Sequence, residues 1–288
     1  MQFIYKIPGY ILLLFGGFCL SWGGFIVRSF ESTNAWDILF LRTSFFFIGV
    51  STFLLVIYKR NALKVIKNSG LPGLLGGFVM SFSFISFVFA MMNTSVANVV
   101  FIISTQTMFL AILGYFYLKE KVSLISLISI VLAMSGIFIM VGDSISQGTL
   151  FGNLIALVIP ISFSVLVMLV RKNSNLDLVP AVWYASIFSG FYSIVMVDSF
   201  NFSNHDIFMG FLLGVPQLTF GFICITIGSK TTRSVTVGLL MLSETIFAPL
   251  WVWLFLKEIP PFSVFIGGLI IIFAIIIKSF ERNKSVTA

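Results

Sequence analysis

Glu244 is a lone carboxylate inside the apolar run SVTVGLLMLSETIFAPLWVWLFL at 234–256. A helical rise of about 1.5 Å per residue puts it about 15 Å into that run, at the middle of a hydrocarbon core about 30 Å thick. A charge at that depth is costly and is kept where it faces a bundle interior or a watery cavity, so this acid points to binding of a solute, an ion or a proton. The structural alternative is a protonated, hydrogen-bonded packing carboxyl. Arg42 is the second buried charge, about 9 Å into the second predicted span. Its planar fork suits a substrate carboxylate, whereas pairing with Asp37 or Glu31, or snorkelling to the surface, is the structural reading.

Other side chains in predicted spans are polar or aromatic enough to line a pathway. Asn98, Gln106 and Ser243, with Ser81, Ser83 and Thr105, suit either a solute path or hydrogen bonds between helices. Trp22, Trp183, Tyr184, Tyr192 and Trp251 offer ring faces for stacking or for a cation. Trp183 and Tyr184 also fall near a span end, where an interfacial belt places such residues. Pro249, five residues beyond Glu244, is the expected hinge, and a static kink would serve the sequence equally well.

The rest of the inventory excludes several chemistries. Cys19 and Cys224 are embedded in apolar stretches without metal spacing, and His205 is the sole histidine. No metal site, cofactor or acyl-transfer triad is therefore expected. No phosphate-binding glycine loop appears, which argues against direct use of ATP and leaves ion or solute gradients as the source of energy.

These residues need a membrane frame. The 288 residues are 59% hydrophobic and 9% charged, with a mean hydropathy of +1.11. A soluble globule cannot hide that surface, so the chain reads as an all-α integral membrane protein. The expected spans are 9–28, 36–57, 70–92, 95–117, 122–141, 150–170, 179–198, 207–228, 234–256 and 262–280. The third and eighth carry helix breakers: Leu71, Pro72 and Gly73 open the third, and Pro216 interrupts the eighth. The connections are short, which leaves no soluble domain and suits a monomer or a homodimer alike.

Lys and Arg set the orientation. With the N-terminus inside, Lys6, Lys59, Arg60, Lys64, Lys67, Lys119, Lys121, Arg171, Lys172, Lys230, Arg233, Lys278, Arg282 and Lys284 share the cytoplasmic side. Arg28 and Lys257 remain outside. The formal charge of +7 is thus explained by topology and the anionic lipid bilayer. No nucleic-acid partner is expected, since no basic groove with stacking residues is visible.

The chain also repeats itself. TSVANVVFIISTQTMFLAILGYFYLKEK at 94–121 aligns without a gap on TRSVTVGLLMLSETIFAPLWVWLFLKEI at 232–259. Thr107 meets Thr245, Phe109 meets Phe247, and Leu118-Lys119-Glu120 meets Leu256-Lys257-Glu258. Five spans separate the copies, so they cross the membrane in opposite directions, as in inverted-topology repeats whose sites lie between the halves. The halves are expected at 1–145 and 146–288 within one integrated membrane domain. The same alignment pairs Glu244 with Gln106.

With SWGGFIVRSF and ILFLR, FAMMNTSVANVVFI, LKEKVS, GSKTTRSVTVGLLMLSETIFAPLWVWLFLKEIPP and GGLIIIFAI, the sequence resembles the EamA-like branch of the drug/metabolite transporter superfamily over nearly its whole length. The resemblance implies a ten-helix, 5+5 carrier in the bacterial cytoplasmic membrane that moves small organic solutes by alternating access, with export as the expected direction. Arg42 matches the arginine that relatives carry in this helix. Where many relatives have a proline in the fourth helix, Leu110 and Ala111 stand opposite Ala248 and Pro249. The expected substrate is an amino acid or a similar zwitterion or cation, with protons as a possible coupling partner. A small-solute channel and a membrane-embedded enzyme are the alternatives.

Overall fold

The computed structural model describes residues 3–94, 96–141, 150–256 and 262–279, and those residues form helices and short connections without a strand. The first expected span is divided into α1 (Gly9–Leu20) and α2 (Gly23–Arg28). Next come α3 (Ala35–Tyr58), the short α4 (Ala62–Asn68) and α5 (Gly70–Asn93). Asn34 starts α3 by accepting the Trp36 N–H at 2.9 Å, which supplies one of the bonds a helix N-terminus lacks. Pro72 falls in the first turn of α5, where its missing N–H costs nothing, so this segment opens the span as expected.

The fourth span is split into α6 (Val96–Ser104) and α7 (Gln106–Leu118), and α8 (Leu124–Val141) follows. The second half begins with α9 (Leu150–Ala156) and α10 (Val158–Lys172), then α11 (Val179–Met196). The eighth span contains α12 (Asn204–Leu212), a π-helical stretch Leu213–Thr219 and α13 (Phe220–Ser229). The ninth is α14 (Ser234–Met241) and α15 (Ser243–Leu256), and α16 (Phe262–Ser279) completes the described chain.

Among the described residues, eight helical runs are long and apolar enough to cross a membrane. The expected fifth and tenth spans coincide with α8 and α16, whose apolar stretches Leu124–Gly136 and Ile266–Ile277 are shorter. Leu55, Phe116, Phe191 and Leu269 are exposed large apolar side chains on the outside of the bundle, as a lipid-facing surface requires. The repeated Lys257 and Glu258, and the loop acid Asp143, lie outside the described residues.

Helix pairing follows a regular pattern. α1 packs on α13 as α10 packs on α5, and α1 on α14 and α15 as α10 on α7. α5 lies against α11, while α3 lies against α12 and the π-helical stretch. α3 with α11, α7 with α14, and α8 with α16 complete the main contacts. Small residues permit the closest of these approaches. A Cβ on Gly77 would meet Tyr184 Cβ at 2.4 Å and the Ala181 carbonyl oxygen at 2.7 Å. One on Gly214 would meet Phe45 Cβ at 2.5 Å and the Arg42 carbonyl oxygen at 2.7 Å.

At the end of the bundle that carries the N-terminus, the Tyr5 and Tyr58 phenols converge on Asp177. Tyr5 donates to its Oδ2 at 2.7 Å, and the Val179 N–H at the start of α11 reaches Oδ1 at 3.0 Å. Burial first, and then the Asp177 carboxylate, push the Tyr5 phenol well above the usual tyrosine range.

Candidate substrate cavity

Arg42, Gln106 and Glu244 meet at one central cavity of about 40 Å³. Leu20, Ser83, Phe84, Phe87, Gln217 and Phe222 contribute to its wall, and every lining residue is buried. At about 10–15 Å³ for each water, that volume is room for a few waters. Its walls come from α1, α3, α5, α6, α7, α10, the π-helical stretch, α13, α14 and α15, so helices of both halves contribute to it.

Local backbone geometry brings the acid and the amide to this place. In the fourth span the Thr105 N–H bonds the Ile102 carbonyl at 3.1 Å, and Met108 bonds Thr105 at 2.9 Å. In the ninth, Leu242 bonds Leu239 at 3.2 Å and Thr245 bonds Leu242 at 3.0 Å. Each is a single tightened turn that divides the span in its middle. Gln106 thereby opens α7, and Glu244 lies in the first turn of α15, where aligned backbone N–H groups favour negative charge. The Ser104 and Thr245 hydroxyls, 2.7 Å apart, tie the two divided spans together beside Glu244.

Arg42 is 2% exposed and is the largest fully buried side chain. Its Nη1 donates to the Phe84 carbonyl at 3.3 Å, and its guanidinium lies 4.6 Å from the Phe87 ring centre and 5.7 Å from that of Phe84. These rings stabilise a cation that little water reaches. Its Nε has no hydrogen-bond partner. Glu244 feels the attraction of Arg42, yet the two form no ion pair within contact distance. The cavity therefore presents a separated cation and acid rather than a closed salt bridge.

The other expected residues occupy different places. Trp22 and Trp251 stack on each other with ring centres 3.9 Å apart, among Phe18, Phe25, Phe247 and Phe255. The Trp251 indole N–H also donates to Ser21 Oγ at 2.7 Å. Ser243 is buried against Gly17 of α1, next to the cavity but outside its wall. Asn98 donates to Thr94 Oγ1 at 3.1 Å, in a network with Asn153 and Arg28. Trp183 donates to Ser51 Oγ at 2.9 Å, Tyr184 packs on Gly77, and Tyr192 lies beside Phe82. None of these seven residues lines the cavity. Pro249 lies within α15, and a tightened turn next to Glu244 falls at Leu242.

Gln217 is the cavity residue that sequence reasoning passed over. Its signal is slight, a single amide after Pro216 in an apolar span. Arginines at the two ends of the bundle form a further matched feature. Arg171 pairs with Glu120 and donates to the Thr232 carbonyl, while Arg28 donates to the Thr94 carbonyl at 2.9 Å.

A bundle of apolar helices with two buried charges at one internal cavity is an arrangement that transporters use. Residues 7–142 and residues 150–280 each match the EamA-like transporter family. The chain belongs to that family, within the drug/metabolite transporter superfamily. It is 24% identical to an uncharacterized transporter of Clostridium kluyveri, over 96% of this chain and 94% of that protein. A crystal structure of a protein 14% identical shares the fold, with a TM-score of 0.79 over 96% of this chain and 99% of the other.

Proposed function

We propose that this transporter is a secondary carrier of a small organic metabolite bearing a cationic group, an amino acid or a similar zwitterion or cation. It works by alternating access across the bacterial cytoplasmic membrane, as an exporter or exchanger driven by a proton or solute gradient. The observation that carries this reading is the placement of Arg42 and Glu244, without an ion pair between them, around one cavity lined by buried residues. A solute with opposite charges at its two ends would satisfy both, and neither group would then stay buried without a counter-charge.

The proposed architecture is ten membrane helices in a 5+5 inverted repeat, with halves at 1–145 and 146–288 and both termini cytoplasmic. The helix pairing supports it, because the main pairings have counterparts when the halves are exchanged. α8 and α16 then act as the fifth and tenth spans. A cavity whose whole lining is buried favours a carrier over an open channel, since conduction needs a continuous path. Catalysis has no part in this reading.

Purified protein screened by thermal shift against individual amino acids identifies the substrate, because a ligand that binds the folded state raises its stability. In liposomes the wild type is then expected to accumulate that substrate against an imposed gradient. If Glu244 carries the proton, Glu244→Gln exchanges labelled substrate but does not accumulate it. If Glu244 instead holds the substrate's cation, Glu244→Gln loses binding itself. Full accumulation by this variant with wild-type pH dependence would remove Glu244 from the mechanism. For Arg42, the loss of the fork in Arg42→Lys and of the charge in Arg42→Ala should weaken a carboxylate-bearing substrate in that order.

A further inference from the structure

We propose that Gln217 is a specificity-determining residue of the cavity, and that its side-chain oxygen, together with Glu244, receives the N–H groups of a primary ammonium on the substrate. The inference rests on the carrier reading above and narrows its substrate class from cations in general to those that can donate hydrogen bonds.

The backbone makes this position possible. Pro216 has no N–H, so an ordinary helical bond to the Leu212 carbonyl cannot form, and the chain widens into the π-helical stretch Leu213–Thr219. Thr219 Oγ1 closes part of the gap by donating to the Gly214 carbonyl at 2.9 Å. Gly214 presses this stretch against the turn of α3 that bears Arg42, touching the Arg42 carbonyl and the Phe46 N–H. The widened turn and the close approach together put Gln217 on the same wall as Arg42.

The amide is held in one orientation. Gln217 Nε2 donates to the Leu20 carbonyl at 3.3 Å, and Gly23 leaves the space this group occupies. Oε1 is therefore the free end. Gln217 is 3% exposed, it lines the cavity, and Oε1 has no hydrogen-bond partner. A buried amide oxygen left in that state is costly, so the site is built to accept a donor.

The unmatched groups define what fits. Glu244 and Gln217 Oε1 accept, and Arg42 Nε donates. A bare cation leaves Arg42 without an acceptor, and a bare anion leaves Glu244 and Gln217 without donors. A zwitterion with a primary ammonium matches all three. A quaternary ammonium carries the same charge but donates nothing, so it satisfies Glu244 by charge alone and strands Gln217. Desolvating one unmatched polar group costs about 1–3 kcal/mol, roughly a tenfold difference in affinity or more.

The test uses the detergent-purified full chain and, as probes, the twenty proteinogenic amino acids offered singly. The amino acid that gives the largest thermal shift is then compared with its own N-trimethylated derivative. The wild type is expected to prefer the free ammonium by about tenfold or more. Gln217→Met fills nearly the same volume without an acceptor, and its preference should fall close to one. Pro216→Ala restores the missing N–H and leaves Gln217 in place; it should lose the preference too, by letting the turn tighten and carry the amide off the wall. It also answers the question if Gln217→Met does not fold. Undiminished preference in a folded Gln217→Met, or in Pro216→Ala when Gln217→Met does not fold, overturns the role of Gln217 while leaving the carrier reading intact. Failure of the wild type to bind any of the twenty overturns the amino-acid reading and this inference with it.

Discussion

Gly77 and Gly214 make the same contact in different helix pairs. Gly77 of α5 presses on the Ala181 carbonyl, the Tyr184 Cβ and the Ala185 N–H of α11, while Gly214 presses on the Arg42 carbonyl, the Phe45 Cβ and the Phe46 N–H of α3. The spacing of the three partners is identical, so Arg42 in one pair corresponds to Ala181 in the other. Glu244 likewise corresponds to the neutral Gln106. Charge appears on one side of each correspondence only, and both charged members face the cavity.

Gly214→Ala should be strongly destabilising. A new Cβ there lies within 2.7 Å of backbone atoms of α3, which cannot swing aside as a side-chain tip can. The expected cost is about 1–3 kcal/mol, read as a lower melting temperature in detergent. Gly268→Ala is the control, since nothing lies within 4 Å of its added Cβ, and it should melt with the wild type.

Glu120 and Arg171 latch the end of the bundle that bears the N-terminus. Glu120 accepts the Ser234 N–H at 3.0 Å, so the pair ties α7, α10 and the start of α14 together. Glu120→Gln should weaken this closure by about 1.5–3 kcal/mol, the usual worth of a hydrogen bond to a charged group. A cysteine placed at Ser234 in that background should react faster with a thiol reagent than in the wild type. Equal rates would mean that the latch does not hold this end shut.

Cysteine labelling in intact cells tests the orientation. Lys64→Cys in α4 is expected to resist a membrane-impermeant maleimide, whereas Asn201→Cys, in the connection before α12, should react. Cys19 and Cys224 are buried and do not compete. The opposite pattern would invert the topology.

The Tyr5 phenol makes stability depend on alkaline pH. Its folded pKa lies above its unfolded value of about 10, so its contribution is complete below pH 10 and is lost as pH rises further. Melting temperature should therefore fall above pH 10. In Tyr5→Phe the protein should be less stable at neutral pH, and its alkaline decline should be shallower.

The class of protein, the positions of most helices and the two buried charges were legible in the sequence, because a bilayer demands long apolar runs and makes every charge inside one conspicuous. The repeat at 94–121 and 232–259 was legible too, and with it the correspondence of Gln106 and Glu244. The aromatic residues were not sorted that way. Trp22 and Trp183 look alike in sequence, since both stand in apolar spans, and only packing separates a stacked pair with Trp251 from a hydrogen bond to Ser51. Pro249 stood out in sequence as a breaker, whereas the tightened turn at Leu242 carries no proline and shows only in the folded chain. Gln217 was hidden for the same reason. A neutral amide in an apolar span has little sequence signal, and its role depends on a π-helical turn, a glycine contact with α3 and the carbonyl of Leu20, which are distant in sequence and meet only in the folded bundle.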